Sequence, residues 1–184
     1  MWNAEFKLYL YPNFSPNYPD IADLKEFTKD TLATLLSKQE FTGKQISSQP
    51  VLRYATGEKF LSQLTFMGCS PNIELEPQEN KPHCYIEIGQ HKQPLFISGK
   101  NLKKAKCPHC KFPIDQPECS NCHKEIKPQV LNWRKTAFFA SIWISIANIY
   151  ESEAIPNDNL ITSLENHTDV KWKYAYIRRH TSVI

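Results

Sequence analysis

The stretch Cys107–Cys122 reads CPHCKFPIDQPECSNC and contains two C-x-x-C pairs separated by eight residues. A C-x-x-C pair can turn both sulfur atoms toward one point, and two such pairs together offer the four soft ligands of a closed tetrahedral Zn²⁺ site. Four thiolates leave no coordination position for water or substrate, so the sequence predicts a structural metal. We expect its ligands to be Cys107, Cys110, Cys119 and Cys122.

The pattern resembles a zinc ribbon or a pair of zinc knuckles, and this resemblance covers only residues 107–122. Such modules often place glycine just after the second cysteine of each pair, where the backbone turns tightly and amides point at sulfur. Lys111 and His123 occupy those places here, so a left-handed conformation at either would cost free energy. Pro113 and Pro117 predict that the spacer is a turn or tight hairpin and not a helix.

Two other interpretations of the same motif remain. Cys-Pro-His-Cys is also typical of thioredoxin-fold thiol oxidants, in which the first cysteine lies at a helix N-terminus. That chemistry needs an apolar strand before the motif and a helix after it. Instead, lysines precede Cys107, and Phe112-Pro113 follows the first pair. In the second interpretation His109 or His123 replaces one thiol as a metal ligand, without changing the structural role.

Length and composition predict one hydrophobic core of domain size and a small additional module that a metal ion stabilises. The chain has 184 residues, of which 41% are hydrophobic and 12% aromatic, as in a folded globule. Residues 1–5 show no basic start followed by an apolar stretch, and the thiols suit a reducing compartment, so we expect a cytoplasmic protein. The longest uncharged apolar run, residues 136–150, is shorter than the roughly 20 residues of a membrane span, so we expect no membrane anchor.

Hydrophobic periodicity predicts both strands and helices. Residues 5–11 alternate as in a half-buried strand. Residues 138–149 are rich in β-branched side chains and predict a central strand covered on both faces, with a buried helix as the alternative. Further strands are predicted at 51–54, 73–75, 85–88, 95–97 and 172–177, and helices at 20–35, 60–67 with Gly68 as a C-terminal cap, and from 157 onward.

The predicted class is therefore α+β, with a mixed sheet, two or three helices and an inserted zinc ribbon-like module. Two segments share the order of strand, proline-rich turn and acid-capped helix, which suggests a ferredoxin-like arrangement. We divide the chain into a first part of the core at 1–99, the zinc-binding module at 100–135 and a second part of the core at 136–184.

The zinc module is basic. Residues 100–135 contain nine lysines and arginines against three acidic residues, and a Zn²⁺ ion with four thiolates adds a charge of about −2. The leading hypothesis is a non-catalytic interaction protein whose module presents this surface to a protein partner, and the alternative is binding of RNA or DNA. The candidate contact residues are Lys103, Lys104, Lys106, Lys111, Trp133 and Arg134, with Phe112 and Trp133 as base-stacking platforms.

Two further hypotheses receive less support from the sequence. An enzyme of unknown reaction would use acid and base groups that match no known motif, namely Glu151, Glu153, Asp158, His167 and Asp169. A second metal site would use ligands whose spacing fits no common pattern, namely Cys69, His83, Cys84 and His91. Cys84 lies in an apolar strand candidate, where a free cysteine often serves as a small hydrophobe. The sequence leaves the oligomeric state open.

Overall fold

The computed structural model describes residues 6–13, 27–68, 73–79, 81–127 and 130–179. The helices are α1 (Lys29–Lys38) and α2 (Asp158–Thr168), and a 3-10 turn spans Leu61–Gln63. The strands are β1 (Phe6–Pro12), β2 (Thr42–Ser47), β3 (Leu52–Thr56), β4 (Leu64–Phe66), β5 (Ile86–Ser98), β6 (Ala105–Lys106), β7 (Pro113–Ile114), β8 (Ala137–Ala147), β9 (Ala154–Pro156) and β10 (Trp172–Arg178).

Six strands form one sheet in the order β10-β1-β8-β5-β3-β2. The predicted α+β class is confirmed. Every strand pair in this sheet is antiparallel, so the sheet is antiparallel and not mixed. The elements β1, α1, β5, β8, α2 and β10 follow one another in the β-α-β-β-α-β sequence of a ferredoxin-like fold, and their strands have its order, β10-β1-β8-β5. Strands β2 and β3 extend this sheet beyond β5, and the cysteine module is inserted between β5 and β8.

Strand β8 lies in the interior of the sheet, as predicted. Ile142, Ile144 and Ile146 point to one face, where they share a buried cluster with Leu36 of α1 and Leu164 of α2. On the opposite face Trp143 is half-buried and Ser145 is 1% exposed. This alternation has the period of two that a strand requires, so the helical alternative for this segment is wrong.

Both helices begin at polar caps. Asn157 Oδ1 accepts the N–H of Leu160 at 3.0 Å, so α2 begins where the sequence predicts. In α1 the cap is Thr28, whose side chain accepts the N–H of Thr31. The predicted start of that helix at Asp20 lies outside the described residues. No helix in the described part of the chain is long and apolar enough to cross a membrane.

The helix predicted at 60–67 is wrong. A single 3-10 turn is followed by strand β4, which pairs with β9. Phe60 and Leu64 are buried, but Leu61 is 43% and Met67 64% exposed, so these positions do not form one apolar helix face. The turn places Phe60 in the core. Strand β4, which follows the turn, forms its hydrogen bonds with β9. None of the described glycines has positive φ, so Gly68 is not a left-handed cap.

Two strand predictions also need correction. Residues 73–75 are half-buried but not in a strand. The strands predicted at 85–88 and 95–97 are parts of one long strand, β5, which is interrupted by a register shift between Gln90 and Leu95. Conversely, the polar residues of β2 form an edge strand that hydrophobic periodicity cannot detect, because four of its six side chains are exposed.

The sheet face opposite the helices contains a buried ion network. Glu87 Oε2 accepts hydrogen bonds from Lys7 Nζ and from Ser145 Oγ, the latter at 3.2 Å. Glu87 Oε1 accepts from Arg53 Nε at 3.2 Å and from Arg53 Nη2 at 2.7 Å. Lys7 and Glu87 are each 7% exposed. The network therefore satisfies the charges that strands β1, β3 and β5 bury at their centre.

Candidate metal centre and adjoining cavity

Each C-x-x-C pair lies at the turn of a short hairpin. Strands β6 and β7 bracket the first pair, and an antiparallel bridge between Glu118 and Glu125 brackets the second. The N–H of Lys111 donates to Cys107 O at 3.0 Å, and the N–H of His123 donates to Cys119 O at 2.8 Å. Both residues have positive φ, 64° and 52°. The two turns thus have the same backbone geometry, with non-glycine residues in the left-handed region.

The hairpins bring the four cysteine sulfurs together. All four Sγ atoms lie within 4.8 Å of one another. The distance from Cys107 Sγ to Cys122 Sγ is 3.8 Å, and that from Cys110 Sγ to Cys119 Sγ is 3.5 Å. A tetrahedral ion with bonds of about 2.3 Å to sulfur separates its ligands by about 3.8 Å. The four cysteines therefore form a candidate metal site whose size suits such an ion.

Polar groups around Cys107 and Cys110 favour thiolates. At Cys122 the N–H of Lys124 favours the thiolate, but burial and the other three cysteines outweigh it and raise the pKa of Cys122 to about 11. A hydrogen bond from the Asn121 side chain, with another from the backbone N–H of Phe112, lowers the pKa of Cys110 to about 6. Burial opposes ionisation of Cys107, but the N–H groups of Cys110 and His109 outweigh it and lower the pKa of Cys107. Amides that point at sulfur are what a bound cation needs, since only the thiolate is a good metal ligand.

A small apolar cluster links the site to the sheet. Cys107 and Cys119 are both 0% exposed and pack with Ile114, Ile126 and Trp133. The Trp133 ring lies against Phe96 of β5, with 4.9 Å between the ring centroids. The candidate metal site and the sheet are thus joined through an aromatic contact.

Backbone hydrogen bonds also fasten the module to the outer edge of β10. The N–H of Lys100 donates to Arg178 O, and the N–H of Tyr176 donates to Lys135 O, both at 2.8 Å. The Asn101 side chain donates to Tyr176 O at 2.8 Å. A Cβ atom on Gly99 would lie 2.2 Å from Arg178 O, so this close approach requires glycine. Both ends of the module therefore cover a sheet edge that would otherwise be open.

A cavity of about 520 Å³ adjoins the module. It lies between segment 130–135, the end of β1 and the starts of β8 and β10. Its walls are aromatic and cationic, and no acidic residue of the described chain lines it. The aromatic side chains include Tyr11, Trp133, Phe139 and Tyr174, and the cationic ones are Arg134, Lys135 and Lys173.

The predicted contact residues occupy different environments. Lys103 Nζ lies 3.2 Å from Glu151 Oε1, and Lys104 Nζ lies 4.0 Å from Asp115 Oδ2. Lys106 and Lys111 are exposed on the module. Trp133 is only 4% exposed and Arg134 is exposed, and both line the cavity. The structure thus brings Trp133 and Arg134 together, while the stacking candidate Phe112, 43% exposed, lies on the first hairpin.

The acids and bases considered for catalysis are dispersed. Glu151 pairs with Lys103, and Glu153 accepts the N–H of Tyr150. Asp158 and His167 lie in the first and last turns of α2, and Asp169 is its C-cap. None of them lines the cavity beside Trp133 or a second, more open one formed by residues 116–118, 123 and 125.

The candidates for a second metal site do not cluster among the described residues. Cys84 is 1% exposed in the main core, and burial raises the pKa of its thiol to about 12. His83 lies against the ring of Tyr85, and His91 Nδ1 is 3.1 Å from Gln93 O on the surface. Cys69 lies outside the described residues. Cys84 thus behaves as a small hydrophobe.

No protein-family model, curated protein or solved structure matches this chain. Function must therefore be argued from the site. Sequence reasoning missed most of the cavity, because its walls come from three segments far apart in the chain: 11–13, 130–139 and 172–174. The one available signal was the alternation of Trp172, Lys173 and Tyr174, which hydrophobic periodicity interprets only as a strand.

Proposed function

We propose that one structural Zn²⁺ ion is bound by Cys107, Cys110, Cys119 and Cys122. We further propose that the module of residues 100–135, stabilised by this ion, binds single-stranded nucleic acid. The spacing of the four sulfurs supports the metal assignment. The ion would supply folding energy to a module whose own apolar cluster is small. With four protein ligands it would have no open position for catalysis.

Lysines and arginines without a carboxylate partner among the described residues support the proposed binding of nucleic acid. Of the nine lysines and arginines between residues 100 and 135, only Lys103 and Lys104 lie within 4.0 Å of a carboxylate of the described chain. Arg134 and Lys135 instead line a cavity with Lys173 and with aromatic side chains. Cations beside aromatic rings suit a strand of phosphates and unstacked bases.

A protein partner, the leading hypothesis from sequence, is less well supported by this arrangement. An acidic protein surface would satisfy the lysines of the module equally well. It would leave unexplained why the cations Arg134, Lys135 and Lys173 line a cavity with aromatic walls. Nucleic acid accounts for both features, because it carries phosphate and flat bases together.

Binding of a labelled single-stranded RNA over a range of salt concentrations tests this function. We expect affinity to fall steeply as salt rises, since phosphate binding releases counterions. Arg134→Gln with Lys173→Gln should weaken binding and lower the salt slope by about 1.4, roughly 0.7 for each phosphate of a single strand that the double variant no longer neutralises.

The matched control is Lys38→Gln with Lys44→Gln. It makes the same change of charge at exposed positions on α1 and on β2, the strand at the opposite edge of the sheet. The control should bind like the unmodified protein. Equal weakening in both double variants would mean that only net charge matters, and no binding at low salt would exclude the proposed function.

A further inference from the structure

The outer edge of β10 has a gap in its hydrogen bonding. The outward N–H groups of Trp172, Tyr176 and Arg178 donate to Glu165 Oε1, Lys135 O and Asn101 Oδ1. In an antiparallel pair, alternate residues point both main-chain groups away from the partner strand. Tyr174 is therefore the remaining outward residue of β10. Neither its N–H nor its C=O has a hydrogen-bond partner among the described residues.

This gap faces the cavity. Residues 172–174 form one wall, and segment 130–135 forms another. Lys135 O bonds the next outward position, Tyr176, so the two walls meet there. The N–H and C=O of Tyr174 are thus a donor and an acceptor that stand side by side at the cavity edge.

A second unused donor belongs to a residue that lines the same cavity. Trp133 is 4% exposed, and its indole Nε1 is buried without a hydrogen-bond partner among the described residues. A buried N–H that stays unpaired costs free energy, about 1–3 kcal/mol in mutational series. Such groups are rare in folded proteins and are commonly satisfied by water or a ligand.

The charges lining the cavity restrict the ligand further. Arg134, Lys135 and Lys173 have no ion-pair partner within 4.0 Å among the described residues, and no acidic residue lines the cavity. Lys135 Nζ donates to Tyr174 Oη and lies 3.9 Å from the ring centroid, which leaves Arg134 and Lys173 for an anion. A volume of about 520 Å³ lies within the range of small-molecule sites. The cavity therefore suits a flat ligand that carries a negative charge.

We propose that this cavity binds an adenine nucleotide, with the edge of the base on the main chain of Tyr174 and the phosphate toward Arg134 and Lys173. The choice of a base-bearing anion rests on the proposed function. Adenine presents an acceptor, N7, beside a donor, the N6 amino group, whereas guanine presents two acceptors at the same edge. A side-by-side N–H and C=O complement the adenine pair and not the guanine pair. A free nucleotide and an unpaired residue of a single strand both present this chemistry.

The test is titration of the zinc-loaded protein with AMP, GMP and adenosine, followed by ¹⁵N NMR of the indole N–H groups. The Trp133 signal is assigned with Trp133→Phe, which keeps a ring against Phe96. AMP should bind at least about tenfold more tightly than GMP, as expected from one two-point base contact at the edge that carries N7. Adenosine, which lacks the phosphate, should bind more weakly than AMP. AMP should shift the Trp133 signal.

Two variants of Tyr174 isolate the main-chain contact. Tyr174→Ala and Tyr174→Pro both remove the ring, but only proline removes the N–H, and an edge strand tolerates proline where the N–H points outward. The proline variant should bind AMP about tenfold more weakly than the alanine variant. Equal affinity in two folded variants would overturn the assigned contact. Should the proline variant fail to fold, the AMP preference and the Trp133 shift decide the question.

Binding of two single-stranded RNAs distinguishes the adenine site from the proposed function on which it rests. A nine-residue RNA of uridines is compared with the same RNA carrying one central adenosine. Tighter binding of the second RNA supports a site for an adenine within a strand, whereas binding of AMP without binding of either RNA supports a site for free nucleotide and excludes the proposed function. Salt-sensitive binding of both RNAs without adenine preference or Trp133 shift supports the proposed function and overturns the adenine site. Absence of all binding overturns both.

Discussion

The six-stranded sheet and the cysteine module keep their shape by different means. The sheet buries a large cluster that includes Leu8, Ile86, Ile144 and Leu164, all at most 1% exposed. The cluster of the module contains few large apolar side chains, and two of its buried members are the cysteines of the candidate site. We therefore expect the sheet with its helices on one face to fold by burial alone, and the module to need the proposed metal. Substitutions in one region should accordingly leave the other intact.

The largest expected effect is that of Cys119→Ser. Structural zinc contributes about 10–16 kcal/mol in isolated zinc-finger peptides, which the small cluster around Ile114 and Ile126 cannot replace. We expect loss of bound zinc and fast amide exchange from about residue 100 to 127. The amides of β1 and β8 should stay protected. Hydrogen exchange followed by mass spectrometry measures both regions.

Cys84→Ser is the matched control. It makes the same chemical change at a buried cysteine outside the candidate site, so zinc should be retained. If Cys119→Ser instead unfolds the whole chain, the metal belongs to the main core and the contrast between the two regions fails.

In contrast to Cys119→Ser, Ile144→Ala should destabilise the sheet and leave zinc binding intact. This side chain is 0% exposed in the centre of β8, and its truncation should lower the free energy of unfolding by about 2–5 kcal/mol. Urea denaturation monitored by circular dichroism measures the change. Ile46→Ala, at a side chain that is 53% exposed on β2, should change stability by less than about 0.5 kcal/mol. Below the urea transition Ile144→Ala should still bind zinc, and release of zinc there would show that the regions are coupled.

The elements that sequence predicts well are those specified by local pattern. The two C-x-x-C pairs fix their own turns, so the candidate ligands needed no tertiary information. The same is true of β8, where Ile142, Ile144 and Ile146 alternate with Trp143 and Ser145.

The sequence-based predictions were wrong or incomplete where contacts between distant segments determine the secondary structure. Phe60 and Leu64 have helical spacing, yet pairing of Leu64 with Pro156 of β9 makes that segment a strand. Residues 90–94 are mostly polar and exposed, so the sequence divides β5 into two strands. The ion network of Lys7, Arg53 and Glu87 joins three strands and leaves no local trace.

That network provides a pH-dependent difference between the regions. Burial alone would raise the pKa of Glu87, but the ion pairs and hydrogen bonds with Lys7 and Arg53 outweigh it and lower the pKa below 4.5. Burial lowers the pKa of Lys7 more strongly than its pairing with Glu87 raises it. The folded protein therefore favours the charged form of Glu87 but not the charged form of Lys7. We therefore assign the acid dependence to Glu87. The stabilisation is fully present above pH 4.5 and is lost as pH falls through the lowered pKa.

Glu87→Gln should consequently reduce the free energy of unfolding by about 3 kcal/mol at pH 7. The difference from the unmodified protein should narrow as pH falls below 4.5, because the unmodified protein then loses its own carboxylate. Urea denaturation at pH 7 and at lower pH values checks this. A difference that stays constant with pH would mean that Glu87 is not charged in the folded protein.

The smallest expected effect concerns the backbone of the two hairpins. Lys111 and His123 have φ of 64° and 52°, which costs a non-glycine residue about 1–2 kcal/mol. Lys111→Gly and His123→Gly should each tighten zinc binding by up to that amount, as measured by competition with a chelator. Ser152→Gly relieves a similar φ, 65°, outside the module and should leave zinc affinity unchanged. Weaker zinc binding in both hairpin variants would contradict the assigned backbone geometry.

The proposed difference between the two regions rests on one zinc ion held by four sulfurs. X-ray absorption at the zinc edge, combined with the metal content of the purified protein, measures this directly. We predict one zinc per chain with four sulfur neighbours at about 2.3 Å. Protein that contains no zinc, or zinc with fewer than four sulfur neighbours, would contradict it.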